Sequence, residues 1–557
     1  MNRFLIKSLY LLLPVLLLGA CKKSILQLNN PISPTPASSL VTEAGIDAFA
    51  MGVYGKWIAN ETGDGLTNFF DLDLLMESNM GDEEFSPYSN WGGRYPAIVA
   101  SITLPAPYST NIPNPSGYVN QLALLQSNNS RSSGDQNSIQ YSWDVFYFMN
   151  AQANALLQAL GNPALTLSGD AATKKKLLQG WAYYWKGYCY SKLGSLYIAG
   201  LIDDSPDSTA KGLTSSTYLI HDSILAAGNR NFDLAASIFS TITENADYDA
   251  TFEAMIPNFN LNTQIITPGM WIRQINTYKA RNYLANHKVA SMTVADWSTI
   301  QTLAAAGMVK GDYTLQFGEA PGGVNDLSTL GGFIFHSFER VTVSGGALSF
   351  VSERLIQDYQ TGDHRYTKNF GPYPGGDVVN VRTRGIQFGT RFGVIDIEKG
   401  GTYASETRLG TVPIAPTWEE NNLMIAEAKI RSGSDINGGL TLIDQVRDAD
   451  SAYLPHLAGS GISQDSAISQ LRSERRVGLF MRGVSWYDAR RWGVSTAAAQ
   501  GGGRANAMVV VPGNYIGGTA DKALPCFIDY DYADYWDVPQ NELDFNPAGA
   551  GSAPIHN

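Results

Sequence analysis

From residue 42 onward, apolar side chains recur at steps of three and four, the period of a helix with one buried face. In "TEAGIDAFAMGVYGKW" that step aligns Ile46, Phe49, Ala50, Val53, Tyr54 and Trp57 on one stripe, with Thr42 placed to cap the first turn. The same period predicts helices over 143–160, 174–197, 231–246, 275–288 and 293–307, and, after a glycine-rich interval, over 416–433, 438–450 and 466–483. Within 174–197, Trp181, Tyr184, Trp185 and Tyr188 share a face. Paired amphipathic helices with small residues at their crossings predict antiparallel hairpins of the tetratricopeptide type, a mainly α fold.

Between these helices the period disappears over 61–142, 247–270, 312–350, 366–415 and 494–557. Connections of that length in a compact protein are usually functional or disordered. "RTRGIQFGTRFGVIDIEKGG" (382–401) predicts a short hairpin, so a little β structure is expected.

Ahead of the first helix, Arg3 and Lys7 flank an apolar run from Leu9 to Leu18, and Gly19 and Ala20 lead into Cys21. That is the pattern of a secretory leader. The run is shorter than the roughly 20 apolar residues that span a bilayer, and Pro14 interrupts it. Leu-Gly-Ala-Cys resembles the bacterial lipobox, which implies cleavage before Cys21 and its modification by diacylglycerol and acyl chains. Such chains contribute about 0.8 kcal/mol per buried methylene and hold a protein on a membrane it does not cross. The alternative is an ordinary secretory signal with an incidental cysteine. "KKSILQLNNPISPTPASSL" (22–40) reads as an extended tether. The expected organisation is a signal peptide over 1–20, a lipidated tether over 21–40 and a helical domain over 41–557.

Composition narrows the function. A hydrophobic content of 44% with 16% charged residues describes a folded chain. The net charge of -12, made more acidic when Arg3 and Lys7 leave with the leader, disfavours nucleic acid as a partner. Beyond the leader only Cys189 and Cys526 remain, enough for one disulfide, although Cys189 lies in an aromatic helical run where a buried thiol is the commoner outcome. Aromatic residues make up 11% of the chain alongside 55 glycines, a combination suited to aromatic platforms carried on loops.

Four segments carry a family resemblance. "SERLIQDYQTGDHR" (352–365) ends in Asp363-x-Arg365; "NNLMIAEAKIRSG" and "LIDQVRDAD" form a late helix pair. "SERRVGLFMRGVSWYDARRWG" (473–493) carries Glu474, Arg475, Leu479, Gly483, Asp488, Arg491 and Gly493, and "DVPQNELDFNP" (537–547) closes the chain's recognisable part. Together with the lipobox these resemble the SusD/RagB family of surface nutrient-binding lipoproteins of Bacteroidetes. Gly478, Arg482 and Ser485 depart from the family pattern, which implies rewired internal ion pairs. The resemblance implies a right-handed array of tetratricopeptide-like helix pairs with a loop-rich ligand face. It also implies an outer-membrane, lipid-anchored location, a SusC-like TonB-dependent transporter as partner, an oligosaccharide or polysaccharide ligand, and no catalysis.

The most ligand-like loop is "MGDEEFSPYSNWGGRYP" (80–96), where Phe85, Tyr88, Trp91 and Tyr95 interleave with Asp82, Asn90 and Arg94. Sugar rings present apolar C–H faces and a rim of hydroxyls, which aromatic planes beside amides and arginine suit. The same rings serve equally well to pin a long loop to the core. A second candidate, 312–345 with Tyr313, Phe317, Phe333, Phe335, His336 and Phe338, reads better as a half-buried strand, and Trp297 follows a helical face as a core residue. Asp529, Asp531 and Asp534 offer oxygens of the kind calcium takes, yet lack the glycine turn and terminal glutamate of a helix-loop-helix site; a docked, solvated loop is the stronger reading. No two histidines stand at ligand spacing, so no zinc site is expected.

Neither a G-x-S-x-G elbow, an H-E-x-x-H helix, a Walker loop nor a dinucleotide fingerprint occurs. Glycoside hydrolysis needs only two carboxylates, and "DLDLLMESNMGDEE" is where they would be sought. The expected function is cell-surface capture of an oligomeric nutrient, a glycan by preference over a peptide. The alternatives are a lipid-anchored glycoside hydrolase and a protein-binding scaffold.

Overall fold

The computed structural model describes residues 40–58, 69–86, 92–205, 215–256, 264–318, 350–373, 375–379, 386–394, 404–406 and 409–557. Thirteen helices of seven or more residues order these segments: α1 Glu43–Ile58, α2 Phe69–Met80, α3 Gln121–Asn128, α4 Ile139–Leu160, α5 Ala171–Leu196, α6 His221–Phe239, α7 Ala246–Met255, α8 Pro268–Ala285, α9 Val294–Ala305, α10 Trp418–Ser432, α11 Ile436–Ala449, α12 Gln464–Gly478 and α13 Ser485–Arg491. Their starts follow capping chemistry. Thr42 Oγ1 accepts the Gly45 N–H at 3.2 Å, Asp170 accepts that of Thr173 at 3.1 Å, and Thr293 with Asp296 forms a capping box ahead of α9.

Neighbours in the array are mostly neighbours in sequence, with α1 on α4, α4 on α5, α5 on α6, α8 on α9, and α10 on α11 and α12. This is the mainly α, tetratricopeptide-like arrangement that the periodicity predicts. The α5–α6 crossing rests on a ladder of glycines. A Cβ at Gly180 or Gly187 would stand 2.5 Å from the ring of Phe239 or Phe232, and one at Gly194 would stand 2.8 Å from Leu225. Both sets recur every seven residues, in opposite directions, so each large side chain on α6 drops into a gap on α5.

The predicted α1 stripe is core. Tyr54 stacks on Trp185 at 5.7 Å, Trp57 meets the same indole edge-on at 6.1 Å, and Trp181 and Tyr184 carry the cluster onward to Trp271. Trp297, as expected, is buried against α8 and α10 residues. Cys189 and Cys526 are both buried free thiols. Burial raises both, Cys526 to about 11, so neither is a ready thiolate at neutral pH.

Differences from the periodic reading have definite causes. Helix α2 lies inside the first aperiodic stretch because it is buried on every side: Phe70, Leu72, Leu75 and Met80 are core, and so are Asp73 and Glu77. A helix with no polar face shows no amphipathic period. Helix α6 begins at His221 instead of 231, carried by buried Ile224, Leu225 and Ala227. The hairpin expected over 382–401 is corrected: Phe392–Val394 pairs with Phe370–Pro372, and Phe392 also meets Val351. The longest hairpin pairs Arg504–Val511 with Lys522–Asp529, and Ser101–Thr103 and Asn111–Pro113 extend it to four strands. Its continuous "MVVV" run and Pro525 within the second strand hide it from a period-two search.

Candidate functional site

Helix α2 delivers the chain into the aromatic segment 80–96, of which 80–86 and 92–96 are described. Gly81 packs so closely on Ser485 that a Cβ would overlap its hydroxyl. Asp82 adopts a left-handed conformation (φ 59°). Arg354 donates to one of its carboxylate oxygens at 3.1 and 3.0 Å, and the Tyr530 hydroxyl donates to the other. Arg476 donates to the Gly81 and Asp82 carbonyls at 2.6 and 3.1 Å. Glu84 and Phe85 then pair with Phe350–Val351. Phe85 is 1% exposed, stacked on Phe388 at 5.5 Å.

At the far end, Gly92 (φ 68°) lies against the Gln136 carbonyl, where a Cβ would clash, and its own carbonyl accepts the Tyr95 N–H at 2.9 Å. The Arg94 guanidinium lies 4.3 Å from the Tyr95 ring centre and donates to its hydroxyl at 2.6 Å; that hydroxyl donates to Gln136 at 3.0 Å. Arg94 is 5% exposed. The expectation that Phe85 and Arg94 face a ligand is therefore corrected: their contacts anchor the two ends of the segment. Tyr95 remains half-buried. Tyr88, Asn90 and Trp91, together with Cys21, lie outside the described residues. The groups that grip the segment, Arg354, Arg476, Gln136 and Tyr530, come from distant elements and carry no local sequence signal.

The carboxylates of Asp73, Glu77 and Glu83, like that of Asp82, are engaged in internal bonds. Asp73 accepts from Trp57 at 3.0 Å and from Ser142; Glu77 accepts from Tyr487 at 2.8 Å and from Lys192. Glu83 accepts the Met481 N–H at 3.3 Å, and burial pushes its carboxyl up to about 8. Burial likewise raises Asp73 from 3.8 to about 7, against its hydrogen bonds and Lys192. Since the folded pKa exceeds the unfolded one, ionised Asp73 costs stability progressively as pH rises through that window. Asp73→Asn should therefore gain on the wild type between pH 4 and 8, by roughly 1–3 kcal/mol. Urea midpoints at the two pH values test this; a difference independent of pH would refute it.

The other candidates dissolve into the fold. Tyr313 is 37% exposed, but Phe333, Phe335, His336 and Phe338 lie outside the described residues, as does the Phe317 side chain. Asp529 accepts the Ala498 N–H at 2.9 Å, Asp531 accepts from Asn120 at 2.8 Å, and Asp534 pairs with Lys288 at 2.7 Å. Among the described residues no cluster of His, Cys, Asp and Glu is placed to hold a metal ion. Trp536, Tyr530 and Tyr532 are buried, so this loop docks its rings on the core.

The segments that carried the resemblance converge on one buried charge network. Glu474 accepts from Arg365 at 2.6 Å and from Arg447 at 2.8 Å. Asp488 is held by Arg475 and Arg491, both at 2.7 Å. Arg491 also donates to both oxygens of Glu427, at 2.8 and 2.6 Å, and Arg431 reaches the same carboxylate at 2.7 Å. Arg490 donates to the carbonyls of Ser195, Ala285 and Asp534, tying the ends of α5 and α8 to the loop just before the closing segment. Each departure from the family pattern has a place: Ser485 admits Gly81, a Cβ on Gly478 would crowd Glu474, and Arg482 lies 3.7 Å from Glu419. These motif residues hold the fold.

Residues 420–548 match the SusD family. No curated protein matches the chain. Among solved structures, a SusD-like carbohydrate-binding protein of Bacteroides vulgatus superposes with a TM-score of 0.55 at 13% identity, covering 91% of this chain and 97% of its own. A SusD-like carbohydrate-binding protein of Bacteroides fragilis gives 0.54 at 14%, covering 91% and 99%. NanU of B. fragilis gives 0.51 at 14%, covering 95% and 100%. Among the described residues no helix is long and apolar enough to cross a membrane. Over residues 420–548 the sequence matches the SusD family, and the fold along more than nine-tenths of the chain is that of SusD-like solved structures.

Proposed function

We propose that the protein captures a glycan on segment 86–96 and passes it to a SusC-like TonB-dependent transporter, while acylated Cys21 holds it to the outer membrane. The observation that carries the reading is the construction of the segment. Its two ends are fixed by buried groups, Asp82 and Phe85 on one side and Gly92 and Arg94 on the other. Between them the sequence supplies Tyr88, Asn90 and Trp91, with Tyr95 beside them, rings and an amide of the kind that meet sugar faces and hydroxyls. Structural neighbours that are carbohydrate-binding proteins support the ligand class. The commitment of Asp73, Glu77, Asp82 and Glu83 to internal partners supports binding without turnover at this place.

The test is calorimetric titration of the full chain in detergent against polysaccharides and peptides, with each mixture assayed for new reducing ends. Binding without cleavage is expected, and Trp91→Ala should weaken it by about 1–3 kcal/mol. Cleavage would make the protein a hydrolase, and silence with retained transporter binding would make it a scaffold. Unchanged affinity in Trp91→Ala with a lowered Tm would assign the ring to the core.

A further inference from the structure

A cleft of about 330 Å3 opens between α12, the turn after α2, the end of α13 and the start of the Arg504 strand. That volume is at the small end of the range of about 300–1,000 Å3 typical of small-molecule sites. Two of its arginines are committed. Arg476 and Arg504 both bind Asp358, and Arg504 also lies 3.8 Å from Asp82.

Arg472 is different. It makes no hydrogen bond or ion pair among the described residues; its guanidinium lies 4.7 Å from the Trp492 ring centre, and that indole N–H is turned away to Glu427 at 3.3 Å. Burial, and then the charges of Arg431, Arg491 and Arg504, push Arg472 down to about 10, with Glu427 opposing. Ser473 and Ser495 also line the cleft, and their hydroxyls make no hydrogen bond among the described residues. A half-buried cation repelled by its neighbours, set beside two free hydroxyls, is a site built for an anion that also carries hydroxyl groups.

We propose that this cleft binds a polyhydroxylated carboxylate of monosaccharide size, a hexuronate unit, with Arg472 taking the carboxylate and Ser473 and Ser495 meeting the ring hydroxyls. The saccharide identity rests on the function proposed above; the anion specificity rests on the cleft alone. Its lining includes Met80, Gly81 and Asp82 at the start of the 80–96 segment, and it would recognise the acidic residue of a glycan or a free acidic sugar. A guanidinium forks onto a carboxylate in a way an ammonium cannot, so lysine should not replace Arg472 fully.

The experiment is calorimetry of the full chain in detergent with sodium D-glucuronate, D-glucose and sodium sulfate, each also run with the Arg472→Gln and Arg472→Lys variants. Glucuronate should bind saturably, glucose should not, and added salt should weaken the binding. Arg472→Gln should weaken it by about ten- to a hundredfold, the loss of a hydrogen bond to a charged group. It should leave the Tm unchanged or raised, because it removes a repelled cation. Absence of glucuronate binding, or binding indifferent to Arg472→Gln, overturns the proposal. Sulfate binding as tightly as glucuronate overturns the sugar assignment. Glucuronate binding with silence across a neutral-glycan panel overturns the neutral-glycan reading of the Trp91 segment and leaves this site standing.

Discussion

Replacing Glu427 by glutamine is expected to lower the unfolding free energy by about 3–5 kcal/mol, the cost of breaking a buried ion pair from one side. Glu427 is 0% exposed and receives Arg491, itself fully buried, through two bonds, with Arg431 on the same carboxylate and Arg475 at 4.0 Å. Glutamine keeps the volume, yet one face of its amide donates where only donors are present. Arg475 and Arg491 would then share the Asp488 carboxylate, and Arg431 would lose its ion-pair partner. Burial by itself would raise the Glu427 carboxyl; the charges of Arg491 and Arg431 overcome that and hold it far below the usual carboxylate range. Its contribution is therefore complete above the unfolded pKa of 4.5 and is lost as pH falls below that value. The wild type should weaken on acidification more steeply than Glu427→Gln. Urea unfolding followed by tryptophan fluorescence at pH 7 and at successive acid steps reads both effects; a variant midpoint equal to the wild type at pH 7 would remove the network from the stability account.

The second large effect is expected at Gly187. Valine there should destabilise by about 3 kcal/mol, the upper end of ordinary overpacking, although valine is the better helix residue by a few tenths of a kcal/mol. The Cβ would arrive 2.5 Å from the Phe232 ring, and that ring is wedged between Tyr184 at 5.7 Å and Tyr278 at 4.9 Å, so it has no free direction in which to yield. Phe232→Ala alone should cost about 3–5 kcal/mol through the cavity it leaves. Combined, the two changes should be better than additive, with a coupling of about 1–3 kcal/mol, because the valine branches occupy part of that cavity. Strict additivity in the double-mutant cycle would show that the helices separate instead of clashing.

Much of the helical array is legible in the chain because most of its helices are half-wet. The stripe from Ile46 to Trp57 announces α1, and the capping pair Thr293 and Asp296 announces α9. Where burial is complete the signal disappears, as in α2, whose acids look like surface residues in sequence and are core residues in space. The hairpin from 504 to 529 escaped for the opposite reason, its strands lacking alternation. Of the candidate site, the segment was legible by composition, and its inner and outer residues were not. Phe85 and Tyr95 are equally aromatic in sequence; only the pairing of Glu84–Phe85 with Phe350–Val351 buries the first. The motif residues were found as a set, whereas their partners follow from tertiary contact, Arg365 meeting Glu474 across 109 positions. Arg472 gave no signal, since a lone arginine on a helix is a surface residue by default.

Arg490 bonds to three carbonyls, two of which belong to Ser195 and Ala285 at the ends of α5 and α8. Arg476 does the same with Gly81, and Glu474 with Arg365. Within the stretch that is recognisable by its sequence, 420–548, the guanidinium groups of Arg476 and Arg490 are thus satisfied largely by residues outside it. Excised, it would leave those cations unpaired in its own interior, a cost that each exposed end would pass to the next. The recognisable segment is therefore a keystone and not an inheritable module: it cannot be transplanted without the arch that it closes, and evolution can vary the earlier helices freely only where they do not touch it.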